Sequence, residues 1–117
     1  MSVLANVLVA FVAFLHLMFL VLEMFLWTKP FGRKTFGLTK ELAEASASLA
    51  MNQGLYNGFL AAGLIWALVT GAFEVKVFFL VCVIVAGVFG AFTAKRTILF
   101  VQALPGALAL AAVIAAR

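Results

Sequence analysis

Between Val3 and Trp27 the chain runs for about 25 residues with a single acid, Glu23, and a single imidazole, His16. As a helix, a segment of this length crosses a hydrocarbon core of about 30 Å with some tilt. Composition extends the same constraint to the rest of the chain. Of its 117 residues, 68% are hydrophobic and 10% charged, and the mean hydropathy is +1.27. A soluble domain of this size has too much surface for its volume to bury so much apolar area. The sequence therefore reads as an all-α integral membrane protein with the bilayer as its solvent. The first segment lacks a basic leader and a small-residue cleavage site and carries Glu23, so it is expected to be a retained span rather than a signal peptide.

Three more apolar segments follow, and the predicted spans are 3–27, 43–69, 77–94 and 97–116. The intervening stretch TKPFGRKTFGLTKE reads as a polar loop over 28–42. Pro30 is expected to stop the first helix there, and Gly32 and Gly37 to make the loop flexible. Thr39 is placed to cap the second helix, with Glu41 and Glu44 in its first turns, where the helix dipole favours acids. Short connections at 70–76 and at Lys95-Arg96 make sequential helices antiparallel neighbours. The expected architecture is an up-down bundle of four transmembrane helices in one domain, 1–117. Pro105 deprives the Val101 carbonyl of its partner and predicts a kink in the fourth helix.

The charges sit mostly between the spans. Lys and Arg number eight against four Glu. The loops after the first and third spans carry Lys29, Arg33, Lys34, Lys40, Lys95 and Arg96, while the other side carries Lys76 and Arg117. The positive-inside rule then puts both termini outside and the loops at 28–42 and 95–96 in the cytoplasm. Basic residues so placed suit anionic lipid headgroups better than nucleic acid. Trp27 and Trp66 fall near opposite ends of their spans, as an aromatic belt requires. The single Cys82 excludes an internal disulfide and reads as a small apolar residue within a helix.

Small residues recur every fourth position: Gly54, Gly58 and Ala62 on the second helix, Ala86, Gly90 and Ala94 on the third, and Ala103, Ala107, Ala111 and Ala115 on the fourth. Helix packing in lipid depends on such close approaches and on polar pairing. At about 100° per residue, Asn52, Gln53, Tyr56 and Asn57 span an arc of roughly 140°, nearly opposite the glycine ladder. A polar arc turned into the bundle leaves the ladder outside. That arrangement suggests a homo-oligomer, with Gly54, Gly58 and Gly90 as packing residues, unless the helix simply lies between two neighbours of its own chain.

Glu23 and His16 share a face of the first helix, and the second helix re-enters from the cytoplasmic side. His16, Glu23, Asn52, Gln53, Tyr56, Asn57, Arg96 and Gln102 are thereby expected to meet in the cytoplasmic half of one bundle. Asn6 lies off that stripe and reads as a lone packing amide. Ionisable groups inside a membrane are costly and mark candidate functional sites. Each also has a plainer reading: Glu23 snorkelling or paired with Arg96, His16 and Tyr56 packed and hydrogen-bonded, the amides as interhelical glue, Gln102 satisfying backbone freed by Pro105, and Lys95 and Arg96 setting topology. One His, one Cys and no Asp make no metal-ligand set. No nucleophile–base spacing or phosphate-cradling loop is present.

HLMFLVLEMFLW, GRKTFGL and ELAEASASLAMNQGLYNGFLAAGL together closely resemble a bacterial family of small four-span membrane proteins catalogued as a domain of unknown function (number 1304). The resemblance covers nearly the whole chain and implies a four-span protein of the bacterial cytoplasmic membrane. The layout is also similar to the MAPEG superfamily, trimeric membrane enzymes of eicosanoid and glutathione metabolism. The features that carry this likeness are the basic loop after the first span, Asn52 on the second helix, and Gln102 shortly before Pro105. It implies a trimer and glutathione or another thiol as cofactor. Ser48, Ala50 and Met51 stand near where that family's arginines would be, and Leu55 where its Glu would be.

Three functions are compatible with these residues. The first is a protein that binds or moves a small solute, a lipid headgroup or a proton along a polar interior. The second is an enzyme acting on a lipophilic substrate, with Tyr56 or Arg96 polarising the reacting group and Glu23 or His16 exchanging protons. The third is a structural or assembly protein acting through its small-residue ladders.

Overall fold

The computed structural model describes residues 2–117, which form helices and no strand. The elements are α1 (Ser2–Met24), α2 (Pro30–Phe36), α3 (Lys40–Thr70), α4 (Phe73–Thr93), a π-helical turn (Leu99–Ala103) and α5 (Leu104–Ala115). Two helices are long and apolar enough to cross a membrane: α1 with 23 residues and α4 with 21. Leu99–Ala115 is apolar but shorter. The 31 residues of α3 are ample in length, but Asn52, Gln53 and Asn57 interrupt their apolar character.

The chain divides into two compact units, residues 16–59 and the remainder. In the larger unit, residues up to 15 and from 60 onward, one apolar core draws on four helices. Ala5, Val9, Val12 and Ala13 come from α1, Leu64 from α3, Leu80 and Val83 from α4, and Ala109, Ala112 and Val113 from α5. Small residues set the spacing. A Cβ on Gly87 would lie 2.7 Å from the backbone nitrogen of Ala103, so α4 and the π turn touch backbone to backbone. Gly106 fits against the side chains of Val83 and Ile84, its would-be Cβ 3.0 Å from Val83 Cγ1. Outward faces remain apolar: Phe11, Phe14, Phe78, Phe89 and Phe92 are all exposed.

The fourth segment departs from a simple kink. Pro105 has no N–H to offer Val101, and the helix responds by widening one turn. The Leu104 N–H donates to the Leu99 carbonyl, five residues back. π turns of this kind absorb one extra residue. They also rotate every later side chain, which changes the buried face. Of the four-residue ladder, Ala103 is buried while Ala107, Ala111 and Ala115 are exposed; Gly106, Ala109 and Ala112 line the interior instead. On α4 the buried small residue is Gly87, not Ala86, which is exposed; Gly90 is half-buried against Ile98.

In the smaller unit, the stretch expected as a flexible loop contains a helix. α1 ends at Met24, three residues before Trp27, where the Leu26 N–H reaches back to the Val21 carbonyl. Pro30 then opens α2 rather than merely ending α1, because its fixed φ and missing N–H suit a first helical position. Gly32 is buried hard against the Leu26 carbonyl, a place no side chain could occupy. Gly37 closes α2 in the left-handed conformation, φ 66°, with its N–H on the Lys34 carbonyl. Thr39 caps α3, its Oγ1 accepting the Leu42 N–H at 3.1 Å.

Candidate functional site

In the smaller unit, Glu23 and Asn57 meet along the seam between α1 and α3. Glu23 is in the last turn of α1, and Asn57 is midway along α3. Asn57 Nδ2 donates to Glu23 Oε1 at 2.5 Å, and both residues are half-buried. Among the described residues this is the one side-chain hydrogen bond to Glu23. Beside it the two backbones approach closely. A Cβ on Gly54 would lie 2.5 Å from Met24 Cγ and 3.2 Å from Glu23 Cβ, and one on Gly58 would lie 2.7 Å from Leu20 Cδ1. Gly54, Asn57 and Gly58 are spaced i, i+3, i+4, so they form one helix face.

This geometry reverses the expected orientation of α3. Its glycine ladder faces α1 of the same chain, and its third member, Ala62, is exposed. Asn52, Gln53 and Tyr56 point outward, Tyr56 with 49% of its surface exposed and its ring beside Phe59. Asn57 is at the edge of the polar arc, about 60° from Gly54 at 100° per residue, and so belongs to the packed face. The polar arc is therefore not an interior lining, and Asn57 alone of its four members meets Glu23.

His16 is fully buried, edge-on to Phe19 with ring centroids 5.2 Å apart. It shares a face with Glu23 but stands about 10 Å away along the helix axis, too far for a direct hydrogen bond. Trp27, expected at a span end, ties the segment after α1 to α3. Its Nε1–H donates to Ser46 Oγ at 3.0 Å, Ser46 in turn donates to the Leu42 carbonyl, and the indole packs on Phe36. Sequence reasoning missed Ser46; the only signal for it was a hydroxyl in the α3 turn facing a tryptophan.

In the larger unit, Gln102 is part of the π turn. Its Nε2 donates to the Val83 carbonyl of α4 at 3.2 Å, so the amide ties two helices rather than serving backbone freed by Pro105. Lys95 and Arg96 form the exposed turn before it, the Ile98 and Leu99 N–H groups closing onto their carbonyls. Asn6 is not a lone packing amide: its Oδ1 accepts from Lys76 Nζ at 2.9 Å. No group of residues spaced to hold a metal occurs among the described residues.

Comparison with known proteins places this geometry in a family without an assigned activity. A family model described as "Protein of unknown function (DUF1304)" matches residues 10–114. An "Uncharacterized protein YpaA" of Lactococcus lactis subsp. lactis (strain IL1403) is 30% identical over 118 residues, covering 97% of each chain. No solved structure matches the chain.

Proposed function

The chain belongs to the family described as "Protein of unknown function (DUF1304)", and from that premise we propose that it is a four-span membrane binding protein whose working group is the Glu23 carboxyl. In this reading α1, α3, α4 and the segment Leu99–Ala115 each cross the cytoplasmic membrane as an up-down four-helix bundle. Both termini lie outside, and α2 and the Lys95-Arg96 turn are cytoplasmic. The outward phenylalanines of α1 and α4 support it, since water would not tolerate such faces on a free monomer. The charges of Lys29, Arg33 and Lys34 on and beside α2, with exposed Phe31, suit an interfacial helix on anionic headgroups.

The observation that carries the proposal is the Glu23–Asn57 hydrogen bond. A carboxyl group in the last turn of an apolar helix is held in place by one amide and remains half-exposed. Its remaining acceptor positions suit a hydrogen-bond-donating or cationic group of a small solute or lipid headgroup. Binding fits better than catalysis, because Tyr56 is on a different face of α3 from Asn57 and is not assembled with Glu23. Proton relay through His16 is disfavoured by the axial separation.

The test uses the full chain in phosphatidylcholine nanodiscs with and without phosphatidylethanolamine, whose ammonium is the probe. Wild type is expected to gain thermal stability with phosphatidylethanolamine, and Glu23→Gln, which keeps an acceptor for Asn57, is expected to gain less. Equal gains in the two proteins would reject Glu23 as the binding group.

A further inference from the structure

The larger unit contains a second polar assembly, built from residues outside the compact unit that holds Glu23. A cavity of about 210 Å³ is lined by Ser2, Asn6, Phe73, Lys76 and Arg117, with apolar walls from neighbouring small residues and Val113. Six of the eight cations of this chain lie in the stretches 29–40 and 95–96. The other two, Lys76 and Arg117, both line this one cavity. No acid lines it. Glu74, the acid of the first turn of α4, is exposed and outside the lining.

The hydrogen-bonding inventory is one-sided. Asn6 Oδ1, the acceptor of that amide, is engaged by Lys76 Nζ at 2.9 Å. That bond leaves both N–H donors of the Asn6 NH₂ group to be used. Lys76 retains N–H donors, and the Arg117 guanidinium carries five and no acceptor. The Ser2 hydroxyl can donate as well. Arg117 is held at the rim by the Phe73 ring, with Cζ 4.3 Å from its centroid, a cation–π contact that positions the guanidinium without using its N–H groups. Ser2 and Phe73 also begin α1 and α4, so the cavity lining includes the first residue of two helices, whose N-termini carry partial positive charge. Two cations, surplus donors and two helix starts around one volume define a site for an oxyanion.

We propose that this cavity binds a phosphate group, a tetrahedral oxyanion whose oxygens accept from Lys76, Arg117 and Asn6 together. The group can arrive as the phosphodiester of a lipid headgroup or as soluble phosphate. Gly71 also lines the cavity: its φ of 71° makes the tight α3–α4 turn, and the space beside its Cα is open.

The experiment uses the full ¹⁵N-labelled chain in maltoside micelles free of phospholipid. Inorganic phosphate and dihexanoyl phosphatidylglycerol are titrated separately while the amide signals of Asn6, Gly71, Phe73 and Arg117 are followed. A saturable shift of these signals is expected. Response to phosphatidylglycerol alone assigns a lipid headgroup, and response to both probes assigns the phosphate group itself. Arg117→Gln and Lys76→Gln, made singly, are each expected to weaken binding by about tenfold, the loss of one charge-assisted hydrogen bond. Arg117 is exposed, so its variant is expected to fold as wild type does. Glu44→Gln, a charge change at an exposed α3 position outside the cavity lining, should leave the response intact. Silence of these signals towards both probes, or undiminished binding in both cavity variants, would overturn the proposal.

Discussion

At Glu23 the chain places a carboxyl group where apolar surroundings leave few partners, and Asn57 supplies one. Removing only the amide strands the acid, whereas removing both polar groups does not. Asn57→Leu is therefore expected to cost roughly 1–3 kcal/mol in equilibrium unfolding in mixed micelles. Adding Glu23→Leu to it should recover part of that loss; a double variant less stable than Asn57→Leu alone would contradict the pairing. Gly54→Leu should cost a similar amount, roughly 1–3 kcal/mol, because Met24 and Glu23 occupy the space its side chain needs. Subunit count by analytical ultracentrifugation should not change. A variant of unaltered stability but lower subunit count would return the glycine ladder to an intersubunit role. The importance of Glu23 was legible in the sequence, since a lone acid in an apolar helix is conspicuous. Its partner was not. The expected cluster held four α3 side chains without distinguishing among them, and where α1 ends and α2 intervenes decides that Asn57 is the one that meets Glu23.

At the scale of single elements, the Thr39 cap follows from the chemistry of one residue, whereas at Pro105 the expected kink is replaced by a π turn. What depended on a periodicity running through Pro105 failed. The π turn rotates the small-residue face of α5, so a ladder counted by fours from Ala103 leaves the interior after its first member. The register on α4 follows its contact with that turn. Gly87→Ala is accordingly expected to destabilise more than Gly90→Ala. The first puts a methyl 2.7 Å from backbone, the second 3.3 Å from movable methyl groups of Ile98. Thermal unfolding of the two variants compares them, and an equal or reversed order would contradict the close approach of α4 to the π turn. α2 was not legible because seven residues are too few to show a helical period. Its anchor is Trp27, whose bond to Ser46 ties the end of α1 to α3. Trp27→Phe should cost about 1 kcal/mol from that hydrogen bond, and Ser46→Ala should add little once it is gone. Fully additive losses in the double variant would show the two residues to be uncoupled.

At the scale of the whole chain, composition told the most. High apolar content, outward-facing phenylalanines and two helices that could span a membrane distinguish this chain from an ordinary soluble domain. The number of crossings is harder to read, because only α1 and α4 combine the length and hydropathy of a span. Four crossings and two crossings place the same turns on different sides. The measurement that separates them is labelling of single cysteines by a membrane-impermeant maleimide, in a Cys82→Ser background, with Ser2→Cys, Thr35→Cys, Thr70→Cys and Thr97→Cys made one at a time. Four crossings with the termini outside predict that Ser2→Cys and Thr70→Cys label in intact cells, while Thr35→Cys and Thr97→Cys label only after permeabilisation. Labelling of Thr97→Cys in intact cells together with protection of Thr70→Cys would show that α3 and Leu99–Ala115 do not cross, and would contradict the four-span account.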